Sequence, residues 1–139
     1  NFSGGVKNVL LPMGKWLGLN AKPKAVVAAP DIGAIGYYSR REILDLGGLI
    51  TPQINRMRNN MELEKIIEEG RFLKFDPDYY LDRDSKARRF AGKIIRGVSF
   101  VPVMSDTVSD LGIRKPGKVV YTLYKLESAG IHQKPASEL

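Results

Sequence analysis

The sequence predicts an α/β domain: three layers, a Rossmann-like and mostly parallel sheet, and an antiparallel hairpin at the C-terminal end. Three observations predict it. Ala25–Ala29 is a solidly apolar run with the length and composition of a strand buried on both faces. Further short apolar runs alternate with helical stripes as far as Ile95. Last come two strand-length segments, Val98–Met104 and Val119–Leu126. The second alternates Val119, Tyr121 and Leu123 against Val120, Thr122, Tyr124 and Leu126, and the polar connection Ser105–Lys118 reads as a long hairpin loop.

Taken in order, Val6, Val9, Leu10, Met13 and Leu17, with Trp16 beside them, recur at helical spacing. Pro12 interrupts that stripe, which predicts either a kink or a helix that starts near Leu11–Pro12. After the Ala25–Ala29 strand, Asp31 is placed to cap a short helix over Ile32–Tyr38. Glu42–Leu46 reads as the second strand. Thr51-Pro52 starts a helix that runs to about Asn59, and a second helix follows over Met61–Glu69, ended by Gly70. Tyr79–Leu81 reads as a third strand. Asp84 then caps a helix through Ile95, with Ala87, Phe90, Ala91, Ile94 and Ile95 on one stripe and Lys86, Arg89, Lys93 and Arg96 on another. Residues 1–127 form one domain on this reading, and 128–139 a flexible tail.

The 139 residues are one domain's worth, and 43% apolar with 27% charged residues is ordinary for a folded chain. There is no cysteine, and the one histidine, His132, falls in the tail. Cysteine-ligated metal, Cys-His and Ser-His-Asp chemistry are thereby removed, so neither a metal nor a cofactor is expected. No run reaches the roughly 18–20 apolar residues that cross a bilayer. The chain starts at Asn1, which suggests a piece of a longer polypeptide.

The net charge of +7 is uneven. Residues 1–41 carry six Lys/Arg and one acid, 42–82 five and nine, and 83–118 nine and three. Two basic segments therefore flank an acidic middle. They are either solvated faces or surfaces for phosphate, on a lipid or a nucleic acid. The basic segments have no interleaved aromatics and match no recognition-helix motif, which argues against nucleic acid. Lys86, Arg89, Lys93 and Arg96 are the candidate membrane-surface contact.

The candidate ligand residues gather around the first strand: Asp31, Gly33, Gly36, Tyr37, Tyr38, Arg40, Arg41 and Asp45. Gly33 and Gly36 invite a nucleotide reading, but Asp-Ile-Gly-Ala-Ile-Gly has two glycines where the dinucleotide fingerprint needs three. The alternative for them is close helix–strand packing. Asp45 interrupts an apolar strand end ahead of Gly47-Gly48. It is either a polar site residue or the cap of that turn.

Val26–Pro52, reading VVAAPDIGAIGYYSRREILDLGGLITP, resembles the segment that opens the soluble C-terminal domain of bacterial and archaeal polytopic membrane glycosyltransferases. These are mannosyltransferase-like enzymes that use polyprenyl-phosphate-linked sugars. Gly14-Lys15-Trp16-Leu17, Pro77-Asp78-Tyr79-Tyr80-Leu81 and Val120–Leu126 resemble other parts of that domain more loosely. The resemblance implies an extracytoplasmic, non-catalytic accessory domain. Its partners would be the transmembrane region of the same polypeptide and an anionic lipid surface or lipid-linked sugar. The rival expectation is a free-standing α/β binding module for a phosphorylated or nucleotide ligand.

Overall fold

The computed structural model describes residues 4–30, 33–47, 52–59, 61–108 and 118–129. Helix α1 (Gly4–Asn20) leads through a turn into β1 (Val26–Ala29), followed by α2 (Gly33–Ser39) and β2 (Glu42–Asp45). Two helices, α3 (Pro52–Arg58) and α4 (Leu63–Glu68), and a 3₁₀ helix (Arg71–Phe75) precede β3 (Tyr79–Asp84). The chain closes with β4 (Ile94–Ile95), β5 (Val98–Val108) and β6 (Val119–Ser128).

The fold is mixed α/β, with one six-stranded sheet in the order β2-β1-β3-β6-β5-β4, curled into a half-barrel. Its N-terminal part is parallel: β1 pairs with β2, Val27 opposite Ile43, and with β3, Val27 opposite Tyr79. The rest is antiparallel. Strand β6 lies between β3 and β5, and β4 adds a short edge to β5. The expectation of a mostly parallel sheet is therefore corrected, while the C-terminal hairpin is as expected. The reason is local. A parallel partner for β3 needs a crossover, normally a helix, and the chain after Asp84 makes turns in place of one.

Alternation along the strands gives the sheet two apolar faces. Val27, Ala29, Tyr79, Leu81, Tyr121 and Leu123 pack beneath α1 and α2 with Leu10, Met13, Leu17 and Ile35. Ala28, Tyr80 and Tyr124 belong to the other face, under Ile54 of α3, Ile66 and Ile67 of α4, and Phe72 and Leu73 of the 3₁₀ helix. Helix α1 runs unbroken through Pro12, which is exposed. Trp16 on α1 meets Tyr79 on β3 edge-on, with ring centroids 5.9 Å apart, and so fixes the helix on the sheet.

The helix expected over Asp84–Ile95 is absent. Two backbone donors that a helix would aim four residues back are taken by strand β6. Arg88 N–H donates to Thr122 Oγ1 at 3.1 Å, and Phe90 N–H to Tyr124 Oη at 3.0 Å. Arg88 and Gly92 take positive φ, at 54° and 76°, which no α-helix contains. Phe90 is drawn into a cluster with Tyr80, Phe100 and Tyr124, where burial of its ring outweighs helix propensity.

Candidate functional site

Of the residues gathered around β1, Asp31 lies outside the described residues, and Gly33 is the first residue of α2. Gly36 packs against β2: a Cβ added there would meet Ile43 Cγ1 at 3.3 Å. Tyr38 closes on α1, its Cβ only 2.7 Å from where a Cβ on Gly14 would stand. Tyr37 is exposed, with its ring 5.0 Å from that of Tyr38.

Arg40 is also exposed and takes a left-handed φ of 54°. Arg41 turns inward and finishes α1. Its Nη2 donates to the carbonyls of Gly18 at 3.1 Å and Ala21 at 2.8 Å, and its Nη1 to that of Ser39 at 3.2 Å. These are acceptors left open at a helix end, and the cation also suits the negative end of the helix.

Asp45 stands at the carboxyl end of β2, opposite Ala29, and is buried. Its Oδ1 accepts from Gly47 N–H at 2.9 Å. Asp45 therefore caps the glycine turn in the manner of an Asx turn.

The four residues expected to form one basic stripe are dispersed. Lys86, Lys93 and Arg96 are exposed, and Lys93 Nζ sits 5.6 Å above the Phe90 ring. Arg89 faces the protein. Its Nε and Nη2 donate to Asp82 Oδ2 and Oδ1 at 2.7 and 2.9 Å, and its Nη1 to Glu64 Oε2 at 2.6 Å. Asp82 is 2% exposed, and its Oδ1 also accepts from Tyr80 Oη at 2.5 Å.

Burial opposes the Arg89 charge, but the hydrogen bonds it donates to Asp82 and Glu64 more than compensate and raise its pKa. Burial, the Asp82 charge and the hydrogen bond to Asp82 together push the Tyr80 hydroxyl well above its ordinary value. Burial pushes Tyr124 up to about 12, although the Phe90 N–H it accepts acts the other way. Asp82 is thus, beside Asp45, a second buried carboxylate among the described residues, and sequence reasoning passed over it. The available signal was an aspartate inside the strand word Tyr79-Tyr80-Leu81-Asp82. Its lone pairs are engaged by Arg89 and Tyr80, which makes it a fold-holding group.

An open concave region of about 370 Å³ brings Tyr38, Arg40 and Arg41 together with Lys15. Two more among the described residues carry concentrated charge. One, about 430 Å³, is bordered by Lys22, Lys24, Lys125, Asp78 and Tyr79 at the entrance of β1 and β3. Asp78 Oδ2 there accepts from Val26 N–H at 2.8 Å, pinning the start of β1.

The other, about 480 Å³, lies between α3 and the 3₁₀ helix. Gln53, Arg56 and Met57 come from α3, Arg71, Lys74 and Phe75 from the 3₁₀ helix, Met61 from the connection between α3 and α4, and Arg96 from the β4–β5 turn. On α3 the spacing i, i+3, i+4 puts three side chains on one face, and on the 3₁₀ helix Arg71 and Lys74, three apart, lie one above the other. Arg71 Nε donates to Glu69 Oε1 at 2.8 Å, and Arg96 Nε to the Glu69 carbonyl at 2.7 Å. The Arg71 hydrogen bond, with its charge and those of Lys65 and Arg96, holds the Glu69 carboxyl below its usual range. The groove was not read from the sequence, since its basic residues come from three segments and only Arg96 had been singled out.

Among the described residues no group of three metal-binding side chains converges, and no helix is long and apolar enough to cross a membrane. Comparison with curated proteins and with solved structures gave no match. Residues 4–125 match the model of the family described as Domain of unknown function (DUF8728), and the chain belongs to that family.

Proposed function

We propose that this chain is an accessory, non-catalytic domain of an integral membrane glycosyltransferase that takes sugar from a lipid-linked donor, and that it sits at the extracytoplasmic membrane surface. Parentage is supported by the resemblance carried by Val26–Pro52, Pro77–Leu81 and Val120–Leu126.

One observation carries the non-catalytic part: the polar residues of the resembling segment that the structure describes inward are used by the fold. Arg41 finishes α1, and Asp45 accepts from Gly47 N–H. Asp82 likewise is enclosed by Arg89 and Tyr80. A general acid or nucleophile must reach a substrate, and these carboxylates are buried. The same observations weigh against a nucleotide module seated at Gly36 and Asp45, because Gly36 is packed on Ile43.

The test is the full reading frame together with its topology. Several hydrophobic spans are expected upstream of Asn1. In intact cells stripped of their outer layers, external protease should digest an epitope placed on this domain. A reading frame without spans, or an epitope protected until the membrane is opened, contradicts the proposal.

A further inference from the structure

We infer that the groove between α3 and the 3₁₀ helix binds the phosphate headgroup of an anionic phospholipid; this deepens the membrane-surface part of the reading above and rests on it. The charge is one-sided. Among the described residues Arg56, Arg71, Lys74 and Arg96 line the groove and no acidic side chain does, the Glu69 carboxylate standing behind Arg71 as its ion-pair partner.

Two of the four cations are held in place by Glu69. Arg71 and Arg96 are each tied to it through Nε, an arrangement that leaves the Nη edge of a guanidinium for a phosphate oxygen. Beside the cations the lining is apolar. Met57, Met61 and Phe75 are partly buried and pack on the core beneath α3 and α4. Lys74 Nζ lies 5.4 Å from the centre of the Phe75 ring. Cations next to adaptable methionines and an aromatic ring suit an amphiphile, with phosphate on the guanidinium groups and the glycerol end on the thioethers. A soluble phosphate uses only the first half of that lining. At about 480 Å³ the groove falls within the range of roughly 300–1,000 Å³ typical of small-ligand sites.

The experiment is co-sedimentation of the 139-residue chain with vesicles of phosphatidylcholine alone and of phosphatidylcholine with phosphatidylglycerol. Binding to the anionic vesicles only is expected. Arg56→Gln/Lys74→Gln/Arg96→Gln should weaken it on the order of a hundred-fold, from roughly 1 kcal/mol for each basic side chain at an anionic surface.

Lys7→Gln/Lys15→Gln/Lys22→Gln removes the same charge, two of its three sites lying on the helix that covers the opposite face of the sheet. It should change binding less than about three-fold. Should the groove triple variant melt early, Arg56→Gln/Lys74→Gln leaves the Arg96 bond intact and should still cost about thirty-fold. Equal losses in the two triple variants, or equal binding to neutral vesicles, overturn the inference. So does displacement by glycerol phosphate or a single-stranded oligonucleotide at concentrations where they bind the groove as tightly as vesicles do. Vesicle binding failing while upstream spans exist removes the groove and leaves the parentage; the reverse result removes the parentage alone.

Discussion

Arg89 holds Asp82 in a two-point contact, Nε to Oδ2 at 2.7 Å and Nη2 to Oδ1 at 2.9 Å, with the carboxylate 2% exposed and the guanidinium side chain 15% exposed. The pair ties the turns after β3 back onto that strand, over the aromatic cluster of Tyr80, Phe90, Phe100 and Tyr124. Removing Arg89 leaves the Asp82 charge buried, whereas Arg89 without Asp82 keeps its bond to Glu64. Arg89→Ala should therefore lose about 3–5 kcal/mol in urea denaturation. The double variant Asp82→Ala/Arg89→Ala should lose clearly less than the two single losses added together. Strict additivity would show that the pair is not coupled.

Alkaline pH should loosen the same region. The folded state holds Tyr80 well above, and Tyr124 at about 12 against, an ordinary phenol value of 10.0. Above that ordinary value the unfolded chain has released protons that the folded chain keeps, so ∂ΔG/∂pH is negative. The stabilising contribution is complete below pH 10 and is lost as pH rises toward and through 12. Denaturation midpoints across this window should fall, and Tyr124→Phe should flatten the fall. A slope unchanged by that substitution would assign the effect to other groups.

Two glycines should resist replacement for different reasons. On Gly14 a Cβ would stand 2.7 Å from Tyr38 Cβ and 3.3 Å from Ser39 N, so Gly14→Ala must part α1 from α2. Gly70 has φ +69°, and its Cβ would meet Ile95 Cγ2 at 2.6 Å. The left-handed backbone alone costs an alanine about 1–2 kcal/mol. Each substitution should lower stability by roughly 1–3 kcal/mol, read by thermal or urea unfolding.

Arg41→Ala should behave as a structural change. It strips donors from the Gly18, Ala21 and Ser39 carbonyls and should cost about 1–3 kcal/mol. Vesicle binding by the folded variant should match that of the parent chain. A selective loss of binding at unchanged stability would return Arg41 to the ligand-contact residues.

Most helices and strands up to β3 were legible because each announces itself locally; the run of α1 from Gly4 through Pro12 and the 3₁₀ helix Arg71–Phe75 were not. Ala25–Ala29 is apolar throughout, Pro52 sits in the first turn of α3, and Gly70 follows α4 with a left-handed φ. Failure set in where distant residues decide. Helical spacing over Asp84–Ile95 was real, but the Arg88 and Phe90 N–H groups are claimed by Thr122 and Tyr124, thirty-four residues away in each case. The parallel sheet was over-extended for the same reason, since losing that helix removes the crossover. At the sites, the glycines after Asp45 left it open between turn cap and site residue, and its bond from Gly47 N–H is that of a cap. The Asp82–Arg89 pair was not legible, because a basic residue in a supposed exposed stripe gave no sign of turning inward. The groove needed three separated segments brought together, which no local pattern records.

The central claim is that this domain meets an anionic surface and does not host a soluble substrate. It is tested most directly by titrating the 139-residue chain in parallel with anionic phospholipid vesicles and with nucleotides and sugar nucleotides, at low and raised salt. Vesicle binding that weakens as salt screens the cations, with no nucleotide binding, is the predicted result. Nucleotide or sugar-nucleotide binding at micromolar affinity, with vesicles left unbound, would contradict it.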